Sequence, residues 1–146
     1  MKTLQFPITI QAPRERVWET MLAPDTDQQW TAAFGEGSYY EGSWDEGSSI
    51  LFLGPSGEGM KAVIAENRPL QRLSIRHLAF IIKEKEDPFT EPFFENYTFR
   101  DAEGGTELLV EMDCLQAWEA MFQETWPRAL QLLKGLCEAR HTRPQS

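Results

Sequence analysis

The sequence predicts an α+β fold: a curved antiparallel sheet of seven strands closed around one long C-terminal helix, with two short helices after the first strand. Three observations predict it. Between Ser38 and Cys114 six stretches of strand-like residues follow one another, separated by Gly and Pro. A seventh, Leu4 to Ile10, alternates at the start of the chain. From Leu115 to Arg140, by contrast, Trp118, Met121, Phe122, Thr125, Ala129, Leu132, Leu133 and Leu136 recur at steps of three and four, the spacing that lines one face of an α-helix.

In the first strand Leu4, Phe6, Ile8 and Ile10 alternate with polar neighbours, and Pro7 places it at a sheet edge or a bulge. Pro13 suits the first turn of a helix whose stripe is Val17, Trp18, Met21 and Leu22, and Ala23-Pro24 stops it. The second short helix takes its cap from Asp25, Thr26 or Asp27, turns Trp30, Ala33 and Phe34 inward, and ends at Gly35 in a left-handed conformation.

The six later strands are read as Ser38 to Glu41, Ser48 to Leu53, Met60 to Asn67, Leu70 to Ile82, Phe93 to Arg100 and Thr106 to Cys114. Turn chemistry at Gly54-Pro55-Ser56-Gly57, Arg68-Pro69 and Gly104-Gly105 is short enough for antiparallel neighbours. Leu73, Ile75, His77, Ala79 and Ile81 share one face, as do Thr106, Leu108, Val110, Met112 and Cys114. Between the fourth and fifth of these strands, Lys83 to Pro92 holds charges, two prolines and one Phe, and reads as a loop.

A helix over about 116–140 runs roughly 36 Å, enough to cross a small domain, and a polar tail follows at 141–146. Pro127 inside it predicts a kink or a division near Thr125 and Trp126. The economical packing lays this helix across the concave face of the sheet, a helix-grip architecture.

At 146 residues the chain is expected to form one domain, residues 1–146, with one core. Its formal charge of -9 repels nucleic acid and anionic lipid. The apolar runs are only a few residues long, so neither membrane insertion nor secretion is encoded, and a cytoplasmic location is expected. Cys114 and Cys137 are too few for a disulfide framework or a zinc site. On a continuous helix they stand about 30 Å apart, beyond the roughly 7 Å a disulfide spans.

Several segments together resemble a known family. ITIQAPRERVWETMLAPDTDQQW looks like the opening of the START-like helix-grip (SRPBCC) superfamily, in its branch related to the activator of heat-shock protein 90 ATPase. GSWDEGSSILFL, ENYTF, GGTELLVEMD and WPRALQLLKGL are similar to that branch in type and order. The resemblance implies a Bet v-like sheet around the last helix, with a cavity that in relatives holds lipids, polyketides or other apolar molecules. It also implies a possible chaperone partner, although the eukaryotic activator carries an additional N-terminal domain that this sequence does not show.

The residues that would meet a ligand each have two readings. His77 is a ligand-bonding group or general base, or else a satisfied core histidine. Glu95 and Tyr97 share strand parity with Phe93 and Phe99 and so look into the interior, unless Glu95 is solvated at the rim. Trp18, Trp30, Phe34, Trp118, Phe122 and Trp126 line a cavity or form plain core. Trp44, in turn chemistry, packs over the sheet edge or stands exposed to a partner. Phe89 is the one apolar group of the Lys83 to Pro92 loop, a lip over the cavity entrance or a connector without a role.

No metal cluster, nucleophile elbow or phosphate-cradling loop is present in the sequence, and no cofactor is expected. The leading reading is a non-enzymatic binder of an apolar or amphipathic small molecule or lipid. Its ligand contacts are Trp30, Phe34, His77, Tyr97, Trp118 and Phe122, with Phe89 at the entrance. A chaperone-activator-like interaction module is the alternative, and a cavity enzyme such as a cyclase or hydrolase comes third.

Overall fold

The computed structural model describes residues 1–142, and the side chains of 1–139. Seven strands, β1 (Lys2–Ile10), β2 (Tyr39–Gly42), β3 (Ser49–Leu53), β4 (Gly59–Arg68), β5 (Arg72–Ile82), β6 (Lys85–Ala102) and β7 (Gly105–Cys114), form one antiparallel sheet in the order β1-β7-β6-β5-β4-β3-β2. Helices α1 (Arg14–Leu22) and α2 (Pro24–Trp30) follow β1, and a 3-10 turn at Thr31–Ala33 extends α2. The last helix, α3 (Gln116–Thr142), lies against the sheet, α1 and α2. This is the helix-grip fold that the order of elements predicts. The polar tail after Thr142 and the side chain of His141 lie outside the described residues.

Local chemistry accounts for the elements. Pro7 is tolerated because β1 is an edge strand, bonded only to β7. Thr106, Leu108, Val110, Met112 and Cys114 are all buried, and the residues between them are half exposed, as the alternation of β7 demands. The sheet bends where its register breaks, between Lys61 and Ala62, Ile64 and Glu66, and His77 and Ala79. Cys114 and Cys137 are both buried and no disulfide joins them.

Five expectations need correction. Lys83 to Pro92 is not a loop: β6 begins at Lys85 and pairs back with β5 through Ile82 and Lys85. The connection is a two-residue turn in which Lys83 and Glu84 both adopt positive φ, 51° and 65°. That is the backbone a tight hairpin needs, without the Asn-Gly that normally announces it. The prolines act where expected, since the ladder lapses between Pro88 and Phe93, and Phe89 to Pro92 bulge opposite Leu78.

Second, α2 has no side-chain cap. Ala23 is its N-cap and Pro24 its first residue, so Asp25, Thr26 and Asp27 sit inside the first turns. Third, the left-handed glycine after α2 is Gly37, φ 84°, not Gly35; a Cβ there would stand 2.5 Å from Pro55 Cγ. Fourth, Pro127 does not divide α3 into two segments, and it lies on the exposed face. Fifth, the buried stripe of α3 is rotated from the expected one. Phe122, Thr125, Trp126, Ala129, Leu130, Leu133 and Cys137 are buried, while Met121 and Leu132 are each 46% exposed.

Candidate functional site

The sheet and α3 diverge at one end, and α2 fills only part of the gap. A pocket of about 430 Å³ remains there, walled by the end of α1, α2 and the 3-10 turn, by residues of β2 to β7, and by the N-terminal half of α3. Exposed Phe34 and Met121 belong to its wall and mark its mouth. The sequence candidates Trp30, Phe34, His77, Tyr97, Trp118 and Phe122 all reach this one space. Trp126, Trp44, Phe52, Phe80 and Phe93 complete an aromatic lining. Trp18 does not share it, packing on Phe99 at 5.3 Å between centroids.

Phe89 is placed differently from its expected role. It turns inward, but onto Phe80 at 4.7 Å and Phe93 at 5.1 Å, behind two rings that themselves line the pocket. With β6 extended through this segment, Phe89 buttresses the wall from outside instead of hanging over the mouth.

The aromatic walls are held by contacts that use the ring shapes. Trp126, on α3, meets Phe34 edge-on at 4.9 Å and Tyr97 at 6.2 Å. Trp30 donates its indole N–H to the Met21 carbonyl at 3.1 Å, which ties α2 to the end of α1. Trp44 packs edge-on against Tyr40 at 4.9 Å and leans on Phe52, so it covers the outer strands.

Set into this apolar surface is a short polar chain. β5 and β6 pair so that His77 lies opposite Phe93 and Ile75 opposite Glu95, which puts His77 and Glu95 on one diagonal of the same face. His77 Nε2 and Glu95 Oε1 are 2.9 Å apart. Tyr97, two residues along β6 and therefore on the same side, donates its hydroxyl to the other oxygen of Glu95 in a short hydrogen bond. The His77 ring stacks on Phe93 at 4.6 Å with 19° between planes. His77 is 1% and the Glu95 side chain 16% exposed, so this carboxyl belongs to the interior. Burial, then the charge and hydrogen bond of Glu95, hold the Tyr97 phenol well above its ordinary pKa.

Sequence reasoning missed the fourth member. Asp27, assigned to a helix cap, is 5% exposed and faces the pocket. Burial foremost, and the charge of Glu95 second, push its pKa up to about 7. Its carboxyl has no hydrogen-bond partner among the described residues; the backbone carbonyl of Asp27 accepts from Thr31 Oγ1 at 2.6 Å. The available signal was positional. Asp27, Trp30, Thr31 and Phe34 are spaced by three, one and three, so they share a helical face, and all four line the pocket. An acid on an otherwise apolar stripe was the clue.

Among the described residues that line the pocket there is no Lys or Arg. No group of three or more His, Cys, Asp or Glu among the described residues stands together as a metal site. No helix among them is long and apolar enough to cross a membrane.

The model of the activator of Hsp90 ATPase homolog 1-like proteins matches residues 11–138, nearly the whole chain. The chain belongs to that family. Solved structures agree on the fold. A protein of Mesorhizobium loti superposes with a TM-score of 0.75 at 15% identity, covering 99% of this chain and 100% of its own. The AHSA1-like protein from Aeromonas hydrophila gives 0.70 at 18% identity, with 99% and 98% covered. DynU16, a protein of the dynemicin biosynthetic locus, gives 0.71 at 16% identity over 97% of this chain and 48% of its own. No curated protein matches the sequence.

Proposed function

We propose that the protein binds an apolar or amphipathic small molecule in the pocket between the sheet and α3, acting as one domain in the cytoplasm. The carrying observation is the composition of that pocket: about 430 Å³ lined by aromatic and aliphatic side chains, with Asp27, His77, Glu95 and Tyr97 as the few polar groups. Small-molecule sites have this make-up, apolar walls for affinity and a handful of fixed polar groups for orientation. A protein core of this size would ordinarily be close-packed, and a space this large beside buried carboxyls is unfavourable unless something fills it. The fold is also that of DynU16, whose locus is biosynthetic, which sets small-molecule chemistry beside this architecture.

Trp30, Phe34, Trp118, Phe122 and Trp126 supply the contact surface in this reading, and the His77–Glu95–Tyr97 chain orients the ligand's polar end. Native mass spectrometry of freshly purified protein tests it. A bound mass that is lost on denaturation, or uptake from a panel of fatty acids and polycyclic aromatics, is expected. A bare chain that takes up none of them contradicts the reading.

One observation favours a second reading, acid–base catalysis in the same pocket. Asp27, with a pKa of about 7, stands where a group that gives and takes protons at neutral pH would be useful. A rate that bells around neutrality with a bound substrate, and disappears in Asp27→Asn, distinguishes an enzyme from a carrier. The family's description suits a chaperone-interaction module as well. A pull-down in which a pocket ligand leaves chaperone capture unchanged would assign that role to a different surface.

A further inference from the structure

We propose that the pocket selects a protonated amine carried on an apolar or aromatic body, with its ammonium group seated against Asp27. The proposal rests on the binding reading above and names the class of ligand. Asp27 is 5% exposed, lies in the pocket wall, and its carboxyl receives no hydrogen bond from any described residue. Buried carboxyls normally find donors, and one left without them in a pocket wall is a vacancy for a donor brought from outside. A second carboxyl, Glu95, projects from β6 into the same pocket, near enough for its charge to act on Asp27.

Trp44 Nε1, Trp126 Nε1 and His77 Nδ1, on residues of the wall, are without a partner among the described residues, but none of them bonds Asp27. Glu95 has His77 and Tyr97, whereas Asp27 has neither, and no Lys or Arg lines the pocket among the described residues. An ammonium group brings three N–H donors and a positive charge to that position. The surrounding rings suit such a cation as well, since Trp30, Phe34, Tyr97 and Trp126 present π-systems around the space that Asp27 borders. An anionic head group would meet two carboxyls without a counter-charge, and a neutral one would leave Asp27's demand partly unmet.

The titratable groups nearest Asp27 are Glu95 and Tyr97 from β6 and Tyr40 from β2, with His77 from β5 in the same wall; Asp25, on its own helix, is exposed. From α1 the wall takes Met21 and Leu22, and from α3 it takes Trp118, Met121, Phe122 and Trp126, none of them charged. An amine therefore binds the ionised form of Asp27 and displaces its proton. Affinity for an amine rises with pH up to about 7 and is level above it.

The test is isothermal titration calorimetry of the full chain with three probes that share one ring system and differ in head group: 2-(1-naphthyl)ethylammonium, 2-(1-naphthyl)ethanol and 1-naphthylacetate. At pH 8 the amine is expected to bind about tenfold more tightly than the alcohol, with the acetate weakest. In Asp27→Asn the amine should fall to within about threefold of the alcohol measured on the same variant. Equal or tighter binding of the alcohol or the acetate to the unmodified chain overturns the proposal and leaves the cavity-binding reading standing. So does an amine advantage that survives Asp27→Asn. Uptake of none of the three overturns both. The head-group comparison needs no variant, so a poorly folded Asp27→Asn does not remove the test.

Discussion

The two halves of α3 make opposite use of the same helix. From Ala129 onward it is core: Ala129, Leu130, Leu133 and Cys137 are between 0% and 2% exposed. Near the same end, Thr106 Oγ1 of β7 closes onto the Ala12 carbonyl at 2.8 Å. Before Trp126 the same helix borders space. Trp118 is half-buried, Met121 is 46% exposed, and both line the pocket with Phe122. The periodicity is continuous through both halves, so what distinguishes them is the surface opposite. At one end β1 and α1 pack on the helix, and Lys134 and Glu138 reach the Thr9 carbonyl and the Gln11 N–H at the end of β1. At the other, α2 and the 3-10 turn still pack on α3, while β3 to β6 leave a space before it that is lined by aromatic rings and by Asp27 and Glu95.

That contrast can be broken or sharpened by substitution. The largest loss is expected for Leu133→Ala, about 3 to 4 kcal/mol in urea unfolding, because a fully buried leucine leaves a cavity that its neighbours cannot fill. Binding of any pocket probe should be unchanged in that variant. A loss below about 1 kcal/mol would mean that the packed half is no tighter than the open one.

The next effect has the opposite sign. Asp27 has a folded pKa of about 7 against its ordinary 3.8, so between those values the folded chain holds a proton that the unfolded chain has released. Stability therefore falls as pH climbs from about 4 to about 7 and is level on either side. Asp27→Asn removes the fall, and at pH 8 it should be more stable than the parent by about 2 to 4 kcal/mol while matching it near pH 4. Paired denaturation curves at the two pH values check this, and a destabilised variant at pH 8 would show that the carboxylate has a partner after all.

Trp118→Ala follows. A half-buried ring at the edge of a space loses less than a core one, about 1 to 2 kcal/mol, and ligand retention should drop. Phe89→Ala is expected to be smallest, about 1 kcal/mol, with faster amide exchange in the β5–β6 hairpin and little change in ligand release, since Phe89 stands behind the wall. Release accelerated without loss of stability would restore Phe89 to the entrance.

What could be read in advance follows the same division. Strands β5 and β7 and helix α3 declare themselves because burial on one side imposes a period, and Leu73 to Ala79 or Thr106 to Cys114 obey it. His77 and Tyr97 were legible for the same reason, as polar groups caught on an apolar face. Asp27 was not, because an acid just after Ala23-Pro24 has the same local chemistry whether it caps a helix or lines a pocket. Only the phase relative to Trp30 and Phe34 separates the two. The β5–β6 hairpin was hidden by a Lys-Glu turn, whose positive φ values are imposed by the ladder on both sides and not by residue type. Apolar character alone puts Met121 and Leu132 in the stripe of α3, because it does not say which of two adjacent stripes meets a surface.

The central claim, that the open half of α3 faces a ligand site, can be tested in one spectrum. The protein has five tryptophans, and four of them, Trp30, Trp44, Trp118 and Trp126, line the pocket, while Trp18 packs elsewhere on Phe99. Their indole N–H signals can be followed by ¹⁵N–¹H NMR as 2-(1-naphthyl)ethylammonium is added. Shifts at Trp30, Trp118 and Trp126, with Trp18 unmoved, are the result predicted. Movement confined to Trp18, or no movement at saturating probe, would contradict the account.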